Sequence, residues 1–184
     1  MSFRNMLKVI ASLAMLAVLA GCTVTGEPRM GNVAFDKEGY VAQNNFQKSI
    51  SVGEVSNFPG TSKFTYGGRL APNFSNDSFK EALELSLKNV NLYGKGYILD
   101  AVLVDSGDWS DWFELSLGNK SRKIQIKYSL KEPDGDIVFS KTIESEVVIT
   151  NYSPITPYNI TQREAAEKSY AQNIEKLIEE INNL

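Results

Sequence analysis

Histidine is absent from all 184 residues, and cysteine occurs once, as Cys22. The first absence excludes Ser-His-Asp and Cys-His hydrolases, histidine general bases and most zinc sites, because each needs an imidazole as base or ligand. The second excludes an intrachain disulfide, so packing must stabilise the fold even in an oxidising compartment. Long apolar runs are scarce as well. Val9 to Ala20 is the extended one, and it falls short of the roughly 20 residues a spanning helix needs. No phosphate-cradling loop and no dinucleotide glycine pattern is present. Carboxylate, lysine and tyrosine chemistry stay open.

What is present begins at the N-terminus. Arg4 and Lys8 are the only charges in the first 21 residues. They precede the apolar run, which makes the positive n-region and h-region of a secretory signal. Leu19-Ala20-Gly21-Cys22 follows. Small residues at Ala20 and Gly21 admit a peptidase to the backbone, and the Cys22 thiol is a nucleophile able to take a diacylglyceryl group as a thioether. These four positions resemble the lipobox of bacterial lipoproteins. The resemblance implies a signal peptide over residues 1–21, cleavage before Cys22, and diacylglyceryl and N-acyl groups on that cysteine. It implies anchoring through those chains, each buried CH₂ contributing about 0.8 kcal/mol. Thr23 stands where an Asp would favour retention at the inner membrane. By resemblance to the enterobacterial sorting rule, that points to the outer membrane, with the domain facing the periplasm. No metal and no cofactor beyond the acyl groups is expected.

Without Arg4 and Lys8, the 19 basic residues fall to 17 against 22 acidic ones, a net charge near −5. Such a chain is a poor general ligand for nucleic acid, whose binding rests on neutralising phosphates. The 163 residues from Cys22 onward suit a tether and one domain.

Residues 22–44 are polar, dotted with glycine and without a period, and read as the lipidated cysteine and a flexible tether. Residues 45–184 read as one α+β domain. Phe46 to Phe58 alternates imperfectly and predicts a first strand, ended by Pro59-Gly60. An irregular stretch runs to Phe74. Phe79, Ala82, Leu83, Ser86, Leu87 and Val90 make one helix face. Ser78 and Glu81 have capping-box spacing, with Ser75 and Asp77 as rival caps, and Gly94 supplies the stop. Tyr97 to Asp105 is apolar on both faces and predicts a central strand. Phe113 to Leu130 is a third strand or a bent pair, and Pro133-Asp134-Gly135 is a hairpin turn. Ile137 to Ile149 returns as the fourth strand. Thr161 caps a last helix whose stripe is Ala166, Tyr170, Ile174, Leu177, Ile178 and Ile181. The order β-α-β-β-β-α predicts a two-layer sandwich: a mostly antiparallel four-stranded sheet with both helices on one face. Alternation in the third and fourth strands leaves the other face wet.

With its lipobox, the pattern of Phe79-Lys80-Glu81-Ala82-Leu83-Glu84-Leu85-Ser86-Leu87, Tyr97 to Leu103 and Ile126 to Leu130 before Asp134-Gly135 resembles a group of small envelope lipoproteins. That group includes auxiliary lipoproteins of ABC-type transporters and the lipoprotein partner of the lipopolysaccharide translocon. The resemblance implies a non-catalytic accessory or assembly subunit of an envelope transport complex, bound to another envelope protein. A binding module for a lipid or small amphiphile is the alternative, and it needs a cavity between helices and sheet.

Two clusters are candidate partner sites. Trp109 and Trp112 flank an acidic loop with Asp105, Asp108 and Asp111, and tryptophan is favoured at interface hot spots; indoles covering the end of the core explain the same residues. Lys123 and Lys127 share a strand face with Lys131, near Lys120 and Arg122. They could meet lipid phosphates or an acidic partner, or form an ordinary solvated sheet face. A calcium site from the aspartates misses the EF-hand spacing. A carboxylate-pair hydrolase from Asp105, Asp108, Asp111 or Glu114 lacks a carboxyl separation that sequence can supply. Tyr152, Pro154, Pro157 and Tyr158 make a rigid aromatic loop.

Overall fold

The computed structural model describes residues 26–42, 45–63, 70–107, 120–149 and 158–184. Its main strands are β1 (Ile50–Ser56), β4 (Tyr97–Asp105), β5 (Lys120–Lys131) and β6 (Ile137–Ile149). Between the first two lie a small hairpin, β2 (Ser62–Lys63) and β3 (Leu70–Ala71), and helix α1 (Asn76–Asn89); α2 (Tyr158–Asn182) ends the chain. The four-stranded sheet has the order β1-β4-β5-β6. β1 runs parallel to β4 across the α1 crossover, and the other pairs are antiparallel. The α+β two-layer arrangement with both helices against one open sheet is therefore as expected.

Alternation decides which face is covered. Leu99, Ala101 and Leu103 of β4, Ile124, Ile126, Tyr128 and Leu130 of β5, and Ile143 of β6 point toward the helices and are buried. The α1 residues Phe79, Ala82, Leu83, Ser86 and Leu87 meet them, as does the whole expected stripe of α2. Phe58, Phe74, Phe79 and Tyr170 form an aromatic cluster near the start of α1, with Phe58 stacked on Phe79 at 4.2 Å between centroids. Aromatic pairs in such offset or edge arrangements add to the burial of their area.

Several local expectations are corrected. The first strand begins at Ile50 rather than Phe46, because Lys48 takes a positive φ of 52°. Its broken alternation is a bulge: Val52 pairs Leu99 and Val55 pairs Ala101, so Gly53 and Glu54 together face Asp100, whose Oδ1 accepts the Glu54 N–H at 2.8 Å. That extra residue returns Val55 to the core side. The α1 cap is the rival Ser75, whose Oγ accepts the Ser78 N–H. The helix stops before Gly94. Asn91 adopts φ 61°, the Asn91 N–H donates to Lys88 O at 3.1 Å, and the Leu92 N–H donates to Leu87 O at 2.8 Å. These two bonds are a Schellman motif with Asn at the left-handed position. Gly94 serves a different need, since a Cβ there would lie 1.7 Å from Lys48 O. Helix α2 starts at Tyr158, not at Thr161. The irregular stretch before Phe74 carries the β2–β3 hairpin. At Pro133-Asp134-Gly135, Gly135 takes φ 100° and its N–H donates to Glu132 O, closing the expected turn.

The largest correction concerns the tether, of which residues 26–42 are packed on the domain. Val33, Phe35 and Ala42 are buried in the same core as the helices, and Met30–Asn32 forms a 3-10 turn. Apolar residues at Val33, Phe35 and Tyr40, with the backbone bonds described below, outweigh the polar composition that suggested a free linker.

Gly94→Ala is expected to lower unfolding stability by on the order of 3 kcal/mol, the range of severe backbone clashes. Gly31→Ala, with nothing within 4 Å of its new methyl, is expected to stay within about 0.5 kcal/mol of the parent. Urea unfolding followed by circular dichroism compares the two.

Candidate functional site

The uncovered sheet face is where the expected lysines project. Lys123, Lys127 and Lys131 alternate with Ile124, Ile126, Tyr128 and Leu130, so strand period alone sends the cations out and the apolar residues in. Across the strands, Lys123 is paired at 2.7 Å with Glu144, which also accepts Gln125 Nε2 at 3.0 Å. Lys131 is paired at 2.5 Å with Asp100. These bonds raise the pKa of both ammonium groups, Lys123 through Glu144 and Lys131 through Asp100. The Glu144 carboxyl is lowered by the Lys123 bond first and the Gln125 bond next. Lys127 lies between Val102 and Thr142 in register. Among the described residues it has no ion pair, so it is the cation this face leaves available. Ile98 and Val104 of β4 and Val138 and Val148 of β6 are also exposed, toward the ends of these strands.

Arg122, grouped with these lysines in sequence, belongs elsewhere. It has the inward phase of Ile124 and is buried. Its guanidinium donates to Asn73 Oδ1 at 2.6 Å, Pro72 O at 3.1 Å and Ser106 O at 3.2 Å, and lies over the Tyr170 ring. Tyr170 OH donates to the same Asn73 Oδ1 at 3.1 Å. Arg122 thereby ties the β4–β5 end of the sheet to the loop before α1. A second polar seam joins α2 to the sheet. Tyr128 OH donates to Asn173 Oδ1 at 2.9 Å, Asn173 Nδ2 donates to Ile143 O at 2.9 Å, and Ser145 Oγ donates to Ser169 O at 2.8 Å. Burial pushes the Tyr128 phenol well up and the Tyr170 phenol to about 12, the latter opposed by Arg122. Both phenols are neutral hydrogen-bond donors at neutral pH.

The third arrangement was not visible in sequence. Glu167 of α2, almost fully buried, accepts the Arg29 backbone N–H at 2.9 Å, Arg29 Nε at 2.9 Å, Arg29 Nη2 at 3.0 Å and Asn32 Nδ2 at 2.6 Å. Arg163, one turn earlier, stands 3.6 Å away. Burial alone would push this carboxyl up. The bonds from the Arg29 side chain, Asn32 and the Arg29 backbone outweigh it and hold the pKa below the ordinary value of 4.5. Further stitches reach α1: Ser78 Oγ donates to Glu27 at 2.7 Å, the Phe35 N–H donates to Ser86 Oγ at 3.0 Å, and Asn89 Nδ2 donates to Phe35 O at 3.0 Å. Beside this segment, residues 33–37, Val147 and the α2 residues Lys168, Ala171, Gln172 and Glu175 line a groove of about 520 Å³.

Leu19, Ala20, Gly21 and Cys22, Trp109 and Trp112 with Asp108 and Asp111, Glu114, and Tyr152 with its two prolines lie outside the described residues. Asp105 accepts the Gly107 N–H through Oδ1. Among the described residues no cluster of three Asp, Glu, Cys or His side chains is placed to hold a metal. No helix among them is long and apolar enough to cross a membrane.

No family profile matches the chain, and no curated protein matches it. Solved structures do. A Xanthomonas campestris protein of family DUF330 superposes with a TM-score of 0.57 at 12% identity, covering 85% of this chain and 94% of that one. A candidate lipoprotein of Caulobacter crescentus superposes with a TM-score of 0.48 at 14% identity, covering 74% and 89%. The first likeness shows a shared fold. The second is too loose to carry an argument.

Glu167→Ala is expected to cost about 2 kcal/mol at neutral pH, the scale of lost hydrogen bonds to a charged group, and to open the chain to trypsin at Arg29. Because the native carboxyl sits below 4.5, its contribution is complete above that pH and is lost as pH falls through the native value. Parent and variant should therefore converge in strong acid. Urea midpoints across pH and tryptic fragment mapping test both expectations.

Proposed function

We propose that the chain is a lipid-anchored envelope protein of the outer membrane, acting as a non-catalytic accessory or assembly subunit of a transport complex. The observation that carries this reading is the clamp at Glu167. Arg29 stands only seven residues after Cys22, so an extended link spans about 25 Å at most. A lipid on Cys22 then keeps the domain close to the bilayer instead of on a long leash. From there the open sheet face presents Lys127 and the exposed aliphatic residues at the strand ends to a protein partner beside the membrane. Trp109 and Trp112 follow β4 in the sequence and are candidates for the same contact. The net acidic balance argues against nucleic acid as the partner.

The alternative, a module for a lipid or small amphiphile, needs space between helices and sheet. Ile124, Ile126, Tyr128, Leu130, Tyr170, Ile174 and Leu177 fill that interface without measurable exposure. The groove beside residues 33–37 lies apart from it and mixes Asp36, Lys37, Lys168 and Glu175, a poor lining for an acyl chain.

In-cell crosslinking of the anchored protein, followed by mass spectrometry, tests the reading. A single stoichiometric envelope protein is expected, with its yield reduced several-fold by Lys127→Glu or by Trp109→Ala with Trp112→Ala. Cys22→Ser should release the protein from membranes. Recovery of a lipid or other small molecule without a protein partner would transfer the case to the binding module, and a Cys22→Ser protein still tightly bound would end the lipoprotein reading.

A further inference from the structure

β6 is an outer strand of the sheet, thirteen residues long, with β5 on one side. It contains no proline, and proline is one of the usual devices by which edges avoid pairing. Ile137 is 60% exposed, Val148 51% and Val138 40%, so its two ends carry apolar side chains that the described fold does not cover.

Register tells which backbone groups this edge offers. The Tyr97 N–H donates to Ser49 O, so odd-numbered residues of β4 bond toward β1 and even-numbered ones toward β5. Following the pairs Asp100–Ser129 and Ile126–Ile143, odd-numbered residues of β6 bond toward β5. Even-numbered residues from Ser140 to Val148 direct N–H and C=O away from the sheet. The Lys176 ammonium, donating to Glu144 O at 2.8 Å, marks that outward direction.

We propose that β6 pairs with β6 of a second copy of this chain, antiparallel and centred on Ile143, making one eight-stranded sheet. The strand is self-complementary about that residue. Phe139 falls opposite Val147, Ser140 opposite Glu146 and Thr142 opposite Glu144, and Val138, at the bulge where Phe139 pairs Leu130 and Ile137 pairs Lys131, comes beside Val148. Apolar ends meet apolar ends, and neither glutamate meets a like charge. Other centres fail this test. Centring on Glu144 or Ser145 sets Glu144 against Glu144 or Glu146, and like charges directly opposite are destabilising. Centring on Thr142 or Lys141 sets Val138 against Glu146 or Glu144. The symmetry is a closed two-fold, so the sheet extends once and stops. Lys176 guards the centre of the edge and releases Glu144 O when the second copy arrives.

The test uses the full chain in its membrane. Ser140→Cys with Glu146→Cys should give a covalent dimer on mild oxidation, because the two positions face each other only between copies. Ser140→Cys with Glu144→Cys, which reports the register centred on Thr142, should not. Two differently tagged copies with unaltered β6 should co-purify, and Val148→Lys should cut that recovery at least tenfold while circular dichroism stays unchanged. Lys176→Ala should raise the covalent yield. Tagged copies that fail to co-purify, co-purification without the 140–146 bond, or preferential bonding by the 140–144 pair would each overturn the proposal.

Discussion

Two amphipathic helices share one face of a four-stranded sheet, and burying both stripes at once constrains the rest of the domain. α1 lies in the crossover that sets β1 parallel to β4, so it covers the parallel half. α2 comes last and covers the antiparallel half formed by β5 and β6. Each helix must stop and turn at a defined place for this to close. At the end of α1, Asn91 in the left-handed conformation and the Leu92–Leu87 bond return the chain to β1, where Ile50 N–H donates to Leu92 O. With one face so committed, the opposite face is left uncovered among the described residues.

The interface between helices and sheet is not uniformly apolar. Tyr128, Asn173, Ser145 and Ser169 form a polar seam through it, each satisfied by a neighbour, and Arg122 is held by carbonyl and amide oxygens at its edge. Buried polar groups are costly unless paired, and a paired seam permits one rotation and one height of α2 on the strands. An all-apolar interface would tolerate sliding. The seam explains how a small domain without an intrachain disulfide keeps one arrangement of a 25-residue helix.

Periodicity made most of this legible. The inward residues of α1, β4 and α2, the limits of β4 and β6, and the outward lysines of β5 all follow from spacing. Arg122 shares the phase of Ile124 and Ile126, so its inward direction was also readable, although its neighbours in sequence suggested a basic patch. The terminators were harder. Gly94 looked like a helix stop, whereas Asn91 was the residue that could bear a positive φ at that point. Glu167 and Arg29 were illegible for a different reason. A glutamate on a helix and an arginine in a polar stretch are each ordinary, and only their meeting across 138 positions gives them meaning. The sequence has no local signal for such a pair beyond Glu167 sharing a ridge with Ile174 and Ile178.

The Glu167 clamp also defines a load path. Tension on the chain ahead of Arg29 enters the domain at two places on the helices: the bidentate bonds to Glu167 on α2 and the Glu27–Ser78 bond at the head of α1. Behind them, the Phe35 bonds to Ser86 and Asn89 lie along α1 and share the strain before it reaches β1. The sheet itself is then shielded, because its ladders are loaded only after these attachments have parted. A pull at the N-terminus would load residues 26–42 first, and because Val33, Phe35 and Ala42 belong to the core, releasing that segment would open one side of the core as well.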